Sequence, residues 1–242
     1  MNDHRFMDRR TLLRLSASAA LMPLISPVPL LAQSPGTTKI GVIGSGKIGS
    51  TVGGLWVKAG YQAMFSSRHP EELTGIIGKL GANAQVGTVA EAAKFGDVIF
   101  VAVPYSALPQ VGRDNAEALK GKVVLDACNP IAARDGEIVK EALDNGVGET
   151  SAKYLPGRLV RAFNSFSWLT FANESNRAGE KIGVPIAGDD AEALAVAAKL
   201  VRDAGFEPVP VPLARAREFS PGGPLFTKAL PVSALKEALG VK

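Results

Sequence analysis

Residues 39–68 read KIGVIGSGKIGSTVGGLWVKAGYQAMFSSR, and the reading of this stretch decides the fold. A short apolar run, Ile40 to Ile43, leads into Gly44, Gly46 and Gly49, spaced G-x-G-x-x-G. An amphipathic segment follows and closes at Gly60, and a second extended run, Tyr61 to Phe65, ends in Ser66, Ser67 and Arg68. That order predicts strand, glycine turn, helix, strand. In such a unit each glycine has its own reason. Gly44 allows the tight turn, Gly46 lets the backbone approach a diphosphate, and Gly49 lets the helix pack closely on the strand. The helix start offers free N–H groups and a partial positive charge, both favourable to a bound phosphate. The bland alternative is a glycine-rich turn that serves packing alone.

The end of the second strand selects the dinucleotide. A site for NAD places Asp or Glu there to bind the ribose 2′-hydroxyl. Here stand Ser66, Ser67 and Arg68, with no carboxylate before Glu71. Arginine pairs with a 2′-phosphate and stacks on adenine, and serines donate hydrogen bonds, whereas an acid would repel the phosphate. The expected cofactor is therefore NADP(H) rather than NAD(H). The alternative for Arg68 is a solvated loop charge.

Outward from this stretch, 242 residues with 46% hydrophobic content suffice for one large α/β core. The formal charge is +4, but the first 32 residues hold four Arg and two Asp, leaving 23 basic against 21 acidic groups. That balance is no footprint for nucleic acid. Cys128 is the only cysteine, which excludes an intrachain disulfide and a cysteine-based metal cluster, and no metal site is expected.

The N-terminal 32 residues have the layout of an export signal: Arg9-Arg10-Thr11-Leu12-Leu13-Arg14, then a moderately apolar stretch from Leu15 to Leu31 broken by three prolines, then Ala32. The arginine pair resembles a twin-arginine signal, which implies a periplasmic protein exported folded. The stretch is too short and interrupted for a stable membrane span. Residues 33–38 read as a linker, 39–165 as the nucleotide-binding domain, and 166–242 as a small C-terminal extension packed on it.

Further strands are expected at Ala84 to Val86, Asp97 to Val103, Lys122 to Ala127, Arg158 to Asn164, Val184 to Gly188 and Phe206 to Val211. Continuous apolar runs such as DVIFVAV fit parallel strands buried on both faces. Pro208 and Pro210 place the last strand at an edge. Helices are expected at Pro70 to Leu80, residues 107–120, Asp190 to Ala204 and Val232 to Leu239, with Gly136 to Asp144 as a further candidate in the connection from Ile131 to Gly157. The fold class is α/β, a Rossmann-type doubly wound and mostly parallel sheet. In such a sheet the carboxyl ends of the strands line one crevice. Val103 and Pro104 are then placed to flank the nicotinamide ribose, Asn129 to hydrogen-bond the carboxamide or ribose, and Asn164 and Ser165 to point to the same edge. The loop Ser220 to Pro224 is placed to border a substrate site, and Cys128 reads as a small core residue.

The series KIGVIGSGKIGSTVG, SSRHPEE, DVIFVAVPYSAL, VVLDACNP, RLVRAFNS and GDDAEALAVAAKLVRDAGFEPVPV resembles the NADPH-dependent coenzyme F-420 reductase family, and is similar to the reductase domain of the six-transmembrane metalloreductases. The resemblance covers roughly residues 38–217. It implies a Rossmann-type domain, NADPH along the crevice, and a deazaflavin or flavin as second substrate receiving the hydride. It adds Ser45, Lys47 and Ile48 to the nucleotide positions Gly44, Gly46, Ser66, Arg68, Val103, Asn129 and Asn164.

Absent residues discriminate as well. Dehydrogenases of hydroxy acids and alcohols commonly need a proton donor beside the hydride. His4 lies in the signal and His69 at the adenosine end, and none of Tyr61, Tyr105 and Tyr154 has Lys four residues on. Hydride transfer between a nicotinamide and a flavin-type ring needs no such side chain, since ring alignment supplies much of the rate. No catalytic residue is expected. Phe163, Phe166 and Trp168 are candidates to shape the acceptor pocket, with core packing as the alternative. The functional expectation is an NADPH-dependent oxidoreductase acting on a small-molecule acceptor. The rival readings are a non-catalytic NADP(H)-binding module or redox sensor, and a structural protein without a nucleotide site. A homodimer is expected on base rate alone.

Overall fold

The computed structural model describes residues 38–241; the expected export signal and residues 33–37 of the expected linker lie outside them. Eight strands form one sheet: β1 Lys39–Ile43, β2 Gln62–Ser66, β3 Ala84–Gly87, β4 Val98–Val101, β5 Val123–Asp126, β6 Arg158–Arg161, β7 Gly183–Ala187 and β8 Glu207–Val211. Their spatial order is β3-β2-β1-β4-β5-β6-β7-β8. The first six are parallel, β7 runs antiparallel to β6, and β8 parallel to β7. This is the Rossmann order with two added strands, and its switch point falls between β1 and β4, where ligands bind in such sheets.

Both faces of the sheet are covered. Val98 and Phe100 of β4 point into one core and Ile99 and Val101 into the other, so an unbroken apolar run is what this strand requires. One face carries edge-to-face rings: Trp56 against Phe100 at 5.1 Å and against Phe163 at 5.5 Å, with Phe163 against Phe171 at 5.5 Å. The indole N–H of Trp56 donates to the Leu200 carbonyl at 2.8 Å, which ties the helix Ala191–Asp203 to the same layer. Phe163 and Phe166 thus belong to this core, the packing alternative of the two readings. β8 is an edge strand, as its prolines demand.

Three helical expectations change. Residues 70–80 break into a 3₁₀ turn Pro70–Leu73, a single α turn Thr74–Ile77 and a second 3₁₀ turn Gly78–Leu80. Gly75 and Gly78 explain this, since glycine costs about 1 kcal/mol in a helix interior. The segment 107–120 is divided at Asn115, whose side chain donates back to the Val111 carbonyl at 2.9 Å. The connection after Ile131 holds three helices, Ala132–Asp135, Ile138–Asn145 and Val147–Tyr154. The last was missed because its buried face is Val147, Gly148, Thr150 and Ser151, which has no apolar stripe. Its neighbour requires that face to be small: a Cβ on Gly148 would lie 2.7 Å from Leu213 Cδ1. Among the described residues no helix is long and apolar enough to cross a membrane.

Candidate functional site

The glycine turn joins β1 to the helix α1, Lys47–Lys58. Gly44 has φ +92°, a left-handed conformation, and a Cβ there would meet the Ala102 carbonyl at 2.5 Å. A Cβ on Gly49 would lie 1.9 Å from the Gly44 carbonyl, so helix and turn are in direct backbone contact. Gly46 differs from both. Its φ of −68° and ψ of −165° are open to any residue, and a Cβ there would have nothing within 4 Å. The protein itself gives no reason for glycine at 46; the empty space in front of it does.

That space is a cleft of about 310 Å³ at the switch point. It is lined by Gly46, Lys47 and Ile48 from the turn, Ala102, Val103 and Pro104 after β4, and Ala127, Asn129, Ile131 and Arg134 after β5. No side chain caps the first turn of α1, and no acid lies in it. Its N–H groups therefore face the cleft with the positive end of the helix dipole. The Lys47 ammonium lies 5.3 Å from the centre of the Trp168 ring, which places Trp168, alone of the three candidate aromatics, beside the cleft mouth.

The other expected residues are distributed as follows. Ser45 donates through both its N–H (3.0 Å) and its hydroxyl (3.1 Å) to the Ser66 carbonyl. Ser66 is fully buried, and its hydroxyl donates to the Val42 carbonyl at 2.8 Å, so it clamps β1 to β2 and does not face a phosphate as expected. The Ser67 hydroxyl accepts from the His69 N–H at 3.0 Å. Arg68 is exposed, and no ion pair forms with it among the described residues. His69 lies 3.4 Å from Glu71 and is equally exposed.

Asn129 lines the cleft and is held from behind. Its Oδ1 accepts from Arg161 and from Asn164, each at 3.2 Å, and its Nδ2 donates to the Asn164 carbonyl at 2.7 Å. Both donors to Oδ1 lack acceptor capacity at those atoms, which fixes which end of the amide is which. Asn164 is buried, a departure from its expected place at the crevice surface. Its Nδ2 also reaches the Phe219 carbonyl at 3.2 Å and Ser220 at 3.4 Å. The preceding residue, Phe163, has φ +60°, a strained value for a bulky side chain, and this bend ends β6 and turns Asn164 inward.

Beneath Asn129 lies a buried ion pair that the sequence reading missed. Arg161 Nη1 donates to Asp126 Oδ2, and both side chains are fully buried. Arg161 also donates to the Cys128 carbonyl at 2.9 Å and to Ser151 at 3.2 Å. The signal was present: Asp126 and Arg161 are each the last residue of their strand, and the parallel register sets them side by side. Ser220 donates to the Ala216 carbonyl at 2.8 Å and is fully buried, so the loop 220–224 begins by anchoring this network and does not line the cleft.

Arg134 was also missed. Its Nε (3.0 Å) and Nη2 (2.8 Å) hold the Asp135 carboxylate, and Nη2 donates to the Asn129 carbonyl at 2.8 Å. Burial pushes the Asp135 carboxyl up, but donors from Arg134, Ile131 and Ser106 outweigh it and hold the group at about 2. Among the described residues lining the cleft there is no histidine and no carboxyl group; its ionisable side chains are Lys47 and Arg134. Burial raises Tyr105, whose hydroxyl donates to the Val147 carbonyl at 2.7 Å, and raises the Cys128 thiol.

Residues 39–130 match the family model described as NADP oxidoreductase, coenzyme F420-dependent. Over 192 residues the chain is 33% identical to metalloreductase STEAP3 of Rattus norvegicus, covering 74% of this chain and 35% of that protein. The chain therefore spans about a third of the length of this curated relative. Among solved structures, a hypothetical protein of Sinorhizobium meliloti is similar at a TM-score of 0.69 and 25% identity, covering 81% of this chain and 95% of that one. An imine reductase of Myxococcus stipitatus, in complex with NADP+, shares the fold at a TM-score of 0.54 and 21% identity, over 84% of this chain and 59% of that one.

Proposed function

Because residues 39–130 match the family model described as NADP oxidoreductase, coenzyme F420-dependent, we propose that the chain passes hydride between NADP(H) and a deazaflavin or flavin-like acceptor. One observation carries the nucleotide part: Gly46 has ordinary backbone angles and open space before it, at the start of an uncapped helix. Such a cradle fits a diphosphate, with the free N–H groups of the first turn as donors. Val103, Pro104 and Asn129 would hold the nicotinamide half, and Arg68 the 2′-phosphate. Lys47 adds positive charge at the same mouth.

When bound, the reduced nucleotide supplies a hydride; the acceptor ring gains it together with a proton from water, and NADP+ is left. The protein's task in such a step is alignment and exclusion of water. The described cleft lining holds no histidine and no carboxyl group, which supports an acceptor that needs none.

The test is titration with NADPH and NADH, followed by oxidation of NADPH in the presence of FMN, riboflavin or a deazaflavin. NADPH is expected to bind at least tenfold tighter than NADH, with the preference lost in Arg68→Ala. Equal affinities would overturn the cofactor assignment. Tight binding without turnover on any acceptor would favour a binding module over an enzyme. The sequence of residues 1–32 supports export by the twin-arginine route; a periplasmic protein beginning near Gln33 is the expected form, and an intact N-terminus there would contradict cleavage.

A further inference from the structure

Three local costs gather behind one side chain, Asn129. Arg161 Nε and Asn164 Oδ1 are buried without a partner, and Phe163 keeps a φ of +60°. Such features collect at ligand clamps and active sites, where the surrounding structure holds them in place. Stability alone does not call for the Asp126–Arg161 pair, since apolar residues of similar volume often replace a buried ion pair without loss. What the pair gives is direction. Asp126 and Ser151 hold Nη1, and the Cys128 carbonyl accepts from Nη2 at 2.9 Å, so the guanidinium has one orientation. In that orientation Nη2 donates to Asn129 Oδ1 at 3.2 Å, and Asn164 Nδ2 donates to the same oxygen at 3.2 Å. An amide oxygen accepts two hydrogen bonds, so Oδ1 is fully occupied. Asn129 Nδ2 gives one hydrogen to the Asn164 carbonyl at 2.7 Å, and its other hydrogen has no partner among the described residues. The main chain under it is fixed as well, because Arg134 Nη2 donates to the Asn129 carbonyl at 2.8 Å. Toward the cleft that it lines, the Asn129 side chain is therefore a donor only.

We propose that Arg161, seated on Asp126, is a positioning residue: it holds the Asn129 amide nitrogen-outward, so that the cleft offers one fixed hydrogen-bond donor to an acceptor oxygen on the nicotinamide half of NADP(H). This rests on the function proposed above and deepens it, by assigning the layer behind the nucleotide site and the sense of its hydrogen bond. Without Arg161 the amide keeps only its contacts to Asn164 and loses its fixed orientation. Acceptor oxygens stand both on the carboxamide and on the adjoining ribose, and the experiment separates the two.

Binding to the full chain is read by titration calorimetry, without turnover, for three ligands: NADP+, 2′-phospho-ADP-ribose, which lacks the nicotinamide, and 2′,5′-ADP, which lacks the adjoining ribose as well. Asn129→Ala is expected to weaken NADP+ about tenfold, as loss of one hydrogen bond provides. Asp126→Leu with Arg161→Met, which leaves no buried charge, is expected to do the same, while 2′,5′-ADP binds as it does to the wild type. Combining all three substitutions adds no further loss, because Arg161 acts through Asn129. Arg161→Lys keeps a cation beside Asp126 without the fork, and carries the test should the double variant fail to fold: it weakens NADP+ severalfold when Asn129 is present and not in Asn129→Ala. If 2′-phospho-ADP-ribose weakens along with NADP+, the oxygen is the ribose's; if NADP+ alone weakens, it is the carboxamide's; the proposal stands in both cases. Unchanged NADP+ affinity in the folded Arg161 variant overturns it. So do additive losses of about a hundredfold in the triple variant, and so does equal weakening of 2′,5′-ADP, which a general distortion of the site would give. Failure of the wild type to bind NADP+ sinks the underlying function instead.

Discussion

The two sides of the cleft are built on opposite terms. On the β1 side the chain presents backbone: glycines, an uncapped helix start, and N–H groups whose partners are not supplied by the protein. On the β5–β6 side it presents side chains, and nearly all of them are engaged. Asp126, Arg161, Asn129, Asn164 and Ser220 hydrogen-bond one another across β5, β6 and the C-terminal loop, with Arg161 Nε and Asn164 Oδ1 the buried atoms of this group that find no partner. The first side leaves its binding capacity for a ligand. The second uses its polar groups to hold one side chain, Asn129, in one orientation. Polar residues near a site therefore do not all address the ligand; those with satisfied partners determine the shape that receives it.

This contrast can be broken most forcefully at the ion pair. Arg161→Met leaves Asp126 buried and unpaired, and is expected to lower stability by about 3–5 kcal/mol in urea unfolding. Replacing both, as Asp126→Leu with Arg161→Met, should recover much of that loss; an equal loss in the double variant would mean the pair is not its source. The glycine side sharpens the comparison. Gly49→Ala forces a Cβ onto the Gly44 carbonyl and should cost roughly 1–3 kcal/mol of stability. Gly46→Ala should change stability by less than about 0.5 kcal/mol while weakening NADPH binding about tenfold, read by titration. Equal destabilisation by the two would erase the distinction between a packing glycine and a ligand glycine.

The smallest effect is on pH. Asp135 is held at about 2 in the folded protein, below the ordinary 3.8. Between those values the unfolded chain binds more protons than the folded one, so stability rises with pH there. The contribution is complete above about pH 4 and is lost as pH falls through about 2. Melting temperatures measured from pH 5 to 2 should fall less steeply in Asp135→Asn than in the wild type.

Much of this was readable from residues alone, for reasons that differ by element. The glycine turn declares itself because three backbone requirements coincide at fixed spacing. β4 declares itself because burial on both faces leaves no polar position, and β5 is as apolar up to Asp126. Pro208 and Pro210 put β8 at an edge because they lack a donor. The helix Val147–Tyr154 stayed hidden because its packing face is small and polar, shaped by Leu213 some sixty residues away in sequence. Ser66 looked like a phosphate donor until its hydroxyl was seen against Val42.

By itself, then, the sequence determined the strand, turn, helix and strand of residues 39–68, the glycines of the turn, and the arginine in place of an acid at the end of β2. These are local: each depends on a few neighbouring residues and on backbone chemistry. Only the tertiary structure decided that Asp126 and Arg161 are partners, that Asn164 supports Asn129 from below, and that Arg134 opens toward the cleft. Those facts depend on strand register and on which hydrogen-bonding groups remain unsatisfied once the chain has packed, and neither exists before residues distant in sequence are brought together.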